Sequence, residues 1–396
     1  VARQWAVFVV FALNGLVLGS WAPRSPALIE QAGVGPGAFS VALLAGSVGM
    51  LLAATASGRL LERFGARLVI AVSGLALFAA LTLLGSAQSL PWLAAGLLCL
   101  GATSGVLDVG MNVAGVAVER AAGKPLMPLL HAGFSVGSLV GAGAAGLAAS
   151  ADWSPARQFV VAAACAAVVL LAVLRPLPGV ARPVDTAAPA SPATLRVLAR
   201  RPVLWLLAVV ALGSAIAEGA SSDWSALLLV TEQGVDEGAA AAAYAGFSFA
   251  MALARLVGSW AQARFGAGRV LVVGSLAAGA GLLATALAGV PWVSYAGFAL
   301  AGAGLSACFP LALGLAGEAG RRADGSGGER EVAFVTAIAY AGFLAGPPMI
   351  GGVAALTSLS VSFVVVGLVA VVIAPAAAAA TRRLGAGAAD RRTALR

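Results

Sequence analysis

Three stretches of this chain, 68–107, 270–317 and 332–381, contain no Asp, Glu, Lys or Arg. A membrane-crossing helix needs about 20 consecutive apolar residues at about 1.5 Å of rise each, so each stretch has room for two. Each also has a turn signal near its middle, at 85–91, 289–291 and 357–360. Apolar residues make up 61% of the chain and charged residues 10%, against about 45–50% and about 25% in soluble domains. A transmembrane barrel would alternate polar and apolar residues in segments of about ten, and no such alternation is present. The expected fold is an all-α membrane protein with twelve transmembrane helices. They are placed near 5–30, 38–61, 68–86, 92–118, 126–149, 157–175, 203–231, 239–262, 270–289, 292–316, 332–356 and 361–380. The first apolar run leads into a Pro-rich stretch rather than a small-residue cleavage site, so no cleavable signal peptide is expected.

The net charge of +8 suits a nucleic-acid binder until its distribution is read. With the N-terminus in the cytoplasm, 21 of the 24 Lys and Arg fall in cytoplasmic segments. Only Arg157 lies in an outer loop, and Arg24 and Arg255 lie within spans. The excess is therefore topogenic, and both termini are expected in the cytoplasm with the protein in the inner membrane. The partner implied is a lipid bilayer, with no nucleic acid. Cys99, Cys165 and Cys308 all fall within spans, far apart, and read as small packing residues. Trp5, Trp92, Trp205 and Trp292 open spans, as interfacial tryptophans do.

The chain repeats itself. Trp5 and Trp205 each open a half, and Pro91-Trp92 recurs as Pro291-Trp292. Arg63-Phe64-Gly65-Ala66 recurs as Arg264-Phe265-Gly266-Ala267, each followed by another Arg, Arg67 or Arg269. His131-Ala132-Gly133-Phe134 recurs as Tyr340-Ala341-Gly342-Phe343. Four matches in order imply two parallel six-helix bundles, residues 1–176 and 202–396, joined by a cytoplasmic linker over 177–201. That linker is rich in Pro, Ala and Arg, lacks apolar periodicity, and is expected to be a tether.

Residues 58–67, Gly-Arg-Leu-Leu-Glu-Arg-Phe-Gly-Ala-Arg, resemble the loop signature between the second and third helices of the major facilitator superfamily. Glu62 replaces the usual Asp, and Ala66 replaces the first of two paired basic residues. Gly58 is expected to permit close helix approach and Gly65 a tight turn. Glu62, Arg63 and Arg67, with Arg264 and Arg269, would then form an ion-pair latch on the inner side. Asn14-Gly15 with Trp21, Arg24 and Pro26 resembles a sugar-permease-like, fucose permease-related branch. Leu107-Asp108, Met111-Asn112, Glu218-Gly219, Asp223-Trp224 and Gly346-Pro347-Pro348 point the same way. The fifth span reads Gly137-Ser138-Leu139-Val140-Gly141-Ala142, without the Pro of the drug-antiporter pattern, and the fourth has no Arg.

An ionisable side chain in mid-bilayer costs at least about 2.5–3.5 kcal/mol on insertion scales, so each one calls for a reason. Asp108 shares a helical face with Gly101, Gly105, Asn112 and Gly115 and is the first candidate for proton coupling, with a structural ion pair as the plainer alternative. Glu218 lies on a polar stripe with Ser214, Ser221 or Ser222, and Ser225, and is a candidate for substrate binding or coupling. Asp223 sits further round that helix and reads as a gate or capping residue rather than a substrate ligand. Arg24, between Pro23 and Pro26 in an interrupted helix, is expected to bind solute or to pair with Asp223 as an outer gate; alternatively it snorkels to the interface. Arg255 reads as snorkelling or as part of the inner latch. His131, the only histidine, is a candidate proton site, although its repeat partner Tyr340 suggests a plain requirement for a ring with a polar tip. Trp21 and Trp224 could stack on a sugar ring, and Asn14, Asn112, Ser221 and Tyr340 complete the expected cavity.

The expectation is a monomeric secondary transporter of a small polar solute, sugar-like by resemblance, working by alternating access. Protons are the expected coupling ion, since a carboxylate in low dielectric can load and release one near neutral pH. The alternatives are a proton-driven exporter of drugs or metabolites, and a non-transporting membrane receptor of the same fold. No cofactor, metal or enzymatic activity is expected. The chain has one His, no metal-ligand spacing, no phosphate loop and no serine elbow.

Overall fold

The computed structural model describes residues 2–123, 126–179, 192–321 and 327–394. Every regular element among them is helical, and twelve segments are long and apolar enough to cross a membrane, the number expected. The first span is α1 (Ala2–Trp21), a 3₁₀ turn (Ala22–Arg24) and α2 (Ser25–Ala32). The break falls between Pro23 and Pro26, which have no N–H to give the helix. α3 (Pro36–Gly85) holds the second and third spans. α4 (Leu90–Ala122), α5 (Met127–Ser150) and α6 (Pro155–Val173) are the fourth to sixth.

After a short α7 (Pro192–Ala199) the pattern resumes with α8 (Pro202–Gln233), α9 (Glu237–Phe265) and α10 (Ala267–Ala288). The tenth span is α11 (Pro291–Leu305) plus α12 (Cys308–Gly320). α13 (Glu329–Leu356) and α14 (Leu359–Ala394) are the last two.

The repeat is written into the backbone. α3 bends at Gly65 with φ 74° and ψ 160°, and α9 gives way to α10 at Gly266 with φ 81° and ψ 151°. Both lie in a region that only glycine occupies without strain. The matching loop sequences therefore make the same turn.

By internal contacts the chain forms two compact units. One comprises Val1–Val184, Ser222–Phe249 and Pro347–Leu359; the other comprises Asp185–Ser221, Ala250–Gly346 and Ser360–Arg396. The division at 176 and 202 follows the sequence repeat, whereas packing divides α8, α9 and α13 between units. In the first unit α1 lies against α5 so closely that a Cβ on Gly137 would collide with the Ala12 carbonyl, and one on Gly141 with the Leu16 carbonyl. The Gly-x-x-x-Gly of the fifth span is thus a helix-packing face.

Three expectations need correction. The linker is not wholly a tether: residues 180–191 lie outside the described residues, but 192–199 form α7, with Leu198 buried. The carbonyl of α7's last residue, Ala199, accepts a bond from the Trp205 indole at 2.8 Å. Cys99 and Cys165 are exposed rather than packed; only Cys308 is buried. Arg255 is not part of the loop latch: it meets Glu218 and the Ser306 carbonyl instead. Trp5, Trp92, Trp205 and Trp292 are all exposed at the starts of their spans.

Candidate functional site

Arg24 is a heavily bonded charge in the first unit. It is 2% exposed, and each guanidinium nitrogen has its own acceptor. Nε donates to Glu237 Oε1 at 2.7 Å, Nη1 to Gln158 Oε1 at 2.8 Å, and Nη2 to the Trp153 carbonyl at 2.7 Å. Gln158 in turn donates to the Ser20 carbonyl at 3.1 Å, in the last turn before the helix break. Burial and bonding rule out an arginine snorkelling to the interface. They also correct its acid: Arg24 pairs with Glu237 rather than Asp223. Glu237 opens α9, where a carboxylate also suits the positive end of the helix dipole. Sequence reasoning missed Glu237 and Gln158; the available signal was a carboxylate at the first position of an apolar span.

In the fourth span the expected glycine face is real but divided in use. Gly101 and Gly105 face α3, where a Cβ on either would press on the backbone at Gly46 or Met50. Asp108 lies beyond that contact, exposed, and accepts a bond from Asn112 Nδ2 at 3.3 Å. The same Asn112 amide bonds the Asp108 carbonyl at 2.8 Å. Asn14, expected in the cavity, is instead committed to packing. Ser104 Oγ donates to its Oδ1 at 3.0 Å, and its Nδ2 faces Met111 Sδ at 3.8 Å. Trp21 and Trp224 are buried, and Trp224 meets Phe39 edge-on with centroids 5.4 Å apart. Neither indole N–H has a hydrogen-bond partner, which is unusual for a buried donor.

The second unit holds a charge cluster midway along its helices. On α8, Ser214 is buried without a partner and Ser221 bonds back to the Ala217 carbonyl. Glu218, on the same stripe, has its Oε1 3.9 Å from Arg255 Nη2. Arg255 Nε also donates to the Ser306 carbonyl at 3.5 Å. Ser306 lies at the gap between α11 and α12. Pro310, four residues on, has no N–H to offer that carbonyl, so the arginine takes the place of a helical bond. This cluster joins the seventh, eighth and tenth spans. Sequence reasoning had Glu218 but not its cation, for want of connecting Pro310 to the carbonyl it releases.

The loop signature is partly engaged. Arg67 donates from Nε and Nη2 to the Leu177 carbonyl, holding the start of the linker. Gly58 faces open space, not a neighbouring helix. Glu62 is exposed and makes no salt bridge among the described residues. Arg63 lies over Phe64 and Arg264 over Phe265, at 5.2 and 5.9 Å from the ring centroids. Arg269 is exposed. His131 is also exposed and stands edge-on to Phe11 at 5.1 Å. Tyr340 lines a cavity of about 750 Å³ with Leu313, Gly317, Arg321 and Thr336. Asp223 is half-buried beside Trp224.

The family model described as Major Facilitator Superfamily matches residues 7–242 and 219–391. An uncharacterised MFS-type transporter of Yersinia pestis is 33% identical over 383 residues, covering 96% of this chain and 97% of that protein. An uncharacterised transporter of Sinorhizobium fredii is 33% identical over 365 residues, covering 92% and 94%. Among solved structures, the nucleoside transporter NupG superposes with a TM-score of 0.71 at 14% identity, covering 96% of this chain and 99% of NupG. The E. coli fucose:proton symporter FucP superposes with a TM-score of 0.61 at 19% identity, covering 96% and 98%. At those identities the structural likeness speaks for the fold alone.

Proposed function

This protein belongs to the major facilitator superfamily, and on that footing we propose that it carries a small polar solute across the inner membrane by proton-coupled alternating access. That it is a multi-pass membrane transporter follows from the family match over most of its length and from its twelve spans. The single observation behind the finer reading is the mid-helix cluster of Glu218, Arg255 and the Ser306 carbonyl at a broken tenth span. Charged groups and interrupted helices at membrane depth are costly, and they mark solute and ion sites in transporters. Asp108 with Asn112 supplies a second membrane-embedded carboxylate, in the first unit, for the coupling proton.

The Lys and Arg distribution supports a cytoplasmic location for both termini. Relatives of the fold named for nucleosides and for fucose with protons indicate which solutes to test first; their identity is too low to carry a substrate over. The protein is taken to act as a monomer. The test is counterflow in proteoliposomes containing the purified chain, with sugars, sugar acids and nucleosides as solutes. Saturable, protein-dependent exchange of one solute class supports the reading. Absence of any flux together with saturable binding of a partner would favour the receptor alternative.

A further inference from the structure

Arg255 lies across its helix from a stripe of exposed apolar residues. At about 100° per residue, Phe249, Leu253, Leu256 and Trp260 fall together on one side of α9, and all four are exposed. Met251 and Arg255 fall on the opposite side, where Met251 is buried. Yet the Arg255 side chain is 38% exposed. The arginine thus lies away from the exposed apolar stripe while keeping part of its own surface open.

Its bonds leave most of its capacity unspent. A guanidinium has five N–H donors. Arg255 makes one long hydrogen bond, from Nε to the Ser306 carbonyl at 3.5 Å. Its approach to Glu218, 3.9 Å from Nη2, is too long for a hydrogen bond. Arg24 shows by contrast what a purely structural arginine looks like in this chain: buried, with all three nitrogens bonded at 2.7–2.8 Å. The Ser306 carbonyl, which Pro310 leaves without an N–H four residues on, takes that long bond from the Nε edge of Arg255. Nη2 lies 3.9 Å from Oε1 of Glu218, whose side chain is 33% exposed and has other interactions besides. The fork is partly exposed and only loosely paired.

We propose that Arg255 is the docking point for a carboxylate on the transported solute, and that Glu218 is the weak counter-ion this carboxylate replaces. Planar forks recognise carboxylates through two parallel hydrogen bonds, and the Nη edge of Arg255 offers that geometry. Glu218 at 3.9 Å supplies negative charge beside the fork without a hydrogen bond to it. The solute class is then a small hydroxylated carboxylate, such as a sugar acid, in preference to the neutral sugar. This rests on the reading of the chain as a solute transporter and narrows its substrate.

The experiment uses the full chain in lipid nanodiscs and compares matched pairs, D-galacturonate with D-galactose and D-glucuronate with D-glucose, by equilibrium binding. The same pairs are followed by counterflow in proteoliposomes. The wild type is expected to prefer at least one acid by about tenfold or more, the least that a charge-assisted hydrogen bond supplies. Arg255→Gln should erase that preference, and Arg255→Lys, which keeps the charge but not the fork, should retain only part of it. Glu218→Gln removes the internal competitor and should tighten acid binding several-fold. An unchanged melting temperature of the Arg255→Gln protein separates lost docking from lost folding; if that variant unfolds, the Glu218→Gln result decides. The proposal is overturned if the wild type prefers neither acid, if Arg255→Gln keeps the preference, or if Glu218→Gln weakens acid binding. Flux of a neutral sugar that ignores Arg255 would overturn the docking role while leaving the transporter reading intact; flux of none of the four solutes counts against both.

Discussion

Arg24 and Glu237, 213 positions apart in sequence, are joined by a 2.7 Å ion pair whose guanidinium is 3% exposed and whose carboxylate is 24% exposed. The two neutral acceptors, Gln158 and the Trp153 carbonyl, make this a knot rather than a simple pair. Removing either charge should cost about 1.5–3 kcal/mol, the worth of hydrogen bonds to charged groups. The charge-swapped double variant Arg24→Glu, Glu237→Arg should not restore stability. A glutamate at 24 would face two acceptor oxygens with nothing to donate to them. Thermal unfolding in detergent reads this directly. Full rescue by the swap would show that the pair stands alone. Asp223→Asn, outside the knot, should change the unfolding temperature least.

The loop glycines should separate into two classes. Gly65 and Gly266 have positive φ, so Gly65→Ala and Gly266→Ala should each cost about 1–3 kcal/mol. Gly65→Ala should be the worse, because its Cβ would also meet the Gly179 carbonyl at 2.6 Å, whereas at Gly266 the space is open. Gly58→Ala should be neutral or slightly stabilising, since nothing lies within 4 Å and alanine favours a helix by up to about 1 kcal/mol. Unfolding temperatures of the three variants give the order. A Gly58→Ala protein as unstable as Gly65→Ala would contradict it.

Orientation in the membrane can be read by labelling. In a background with Cys99, Cys165 and Cys308 replaced by serine, Gly35→Cys and Gln88→Cys should react with an impermeant maleimide from outside intact cells. Ala121→Cys should react only after the inner face is opened. All three positions are exposed in the structure. Reaction of Ala121→Cys from outside would invert the proposed topology.

The fold was legible because the evidence for it is long and redundant: charge-free runs set the spans, and Gly65 and Gly266 announce matching turns. The break in the first span was legible from Pro23 and Pro26. What could not be read was the choice among polar partners. Asp223 and Glu237 are both near enough in sequence to the end of α8 to serve Arg24, and only packing decides between them. Asn14 was assigned to a cavity by its polarity, yet Ser104 and Met111 occupy its amide. Gly58 was read as a contact residue because glycine so often is one, yet a Cβ there would meet nothing within 4 Å. Arg255 was misplaced because its partner carbonyl belongs to a helix break whose cause, Pro310, looks harmless near a helix start.

The account's central claim is that a membrane-embedded carboxylate couples solute movement to protons, and Asp108 is the residue assigned to it. Asp108 is exposed, and its side-chain hydrogen bond comes from the neutral amide of Asn112. Asp108→Asn mimics the protonated form at almost the same volume. The decisive measurement is accumulation of the best-bound solute of the matched panel by proteoliposomes under an imposed proton gradient, beside gradient-free exchange. The wild type should concentrate the solute above equilibrium, and Asp108→Asn should exchange it but never exceed equilibrium. An Asp108→Asn protein that still concentrates the solute against its gradient would contradict the assignment and move coupling to Glu218 or His131.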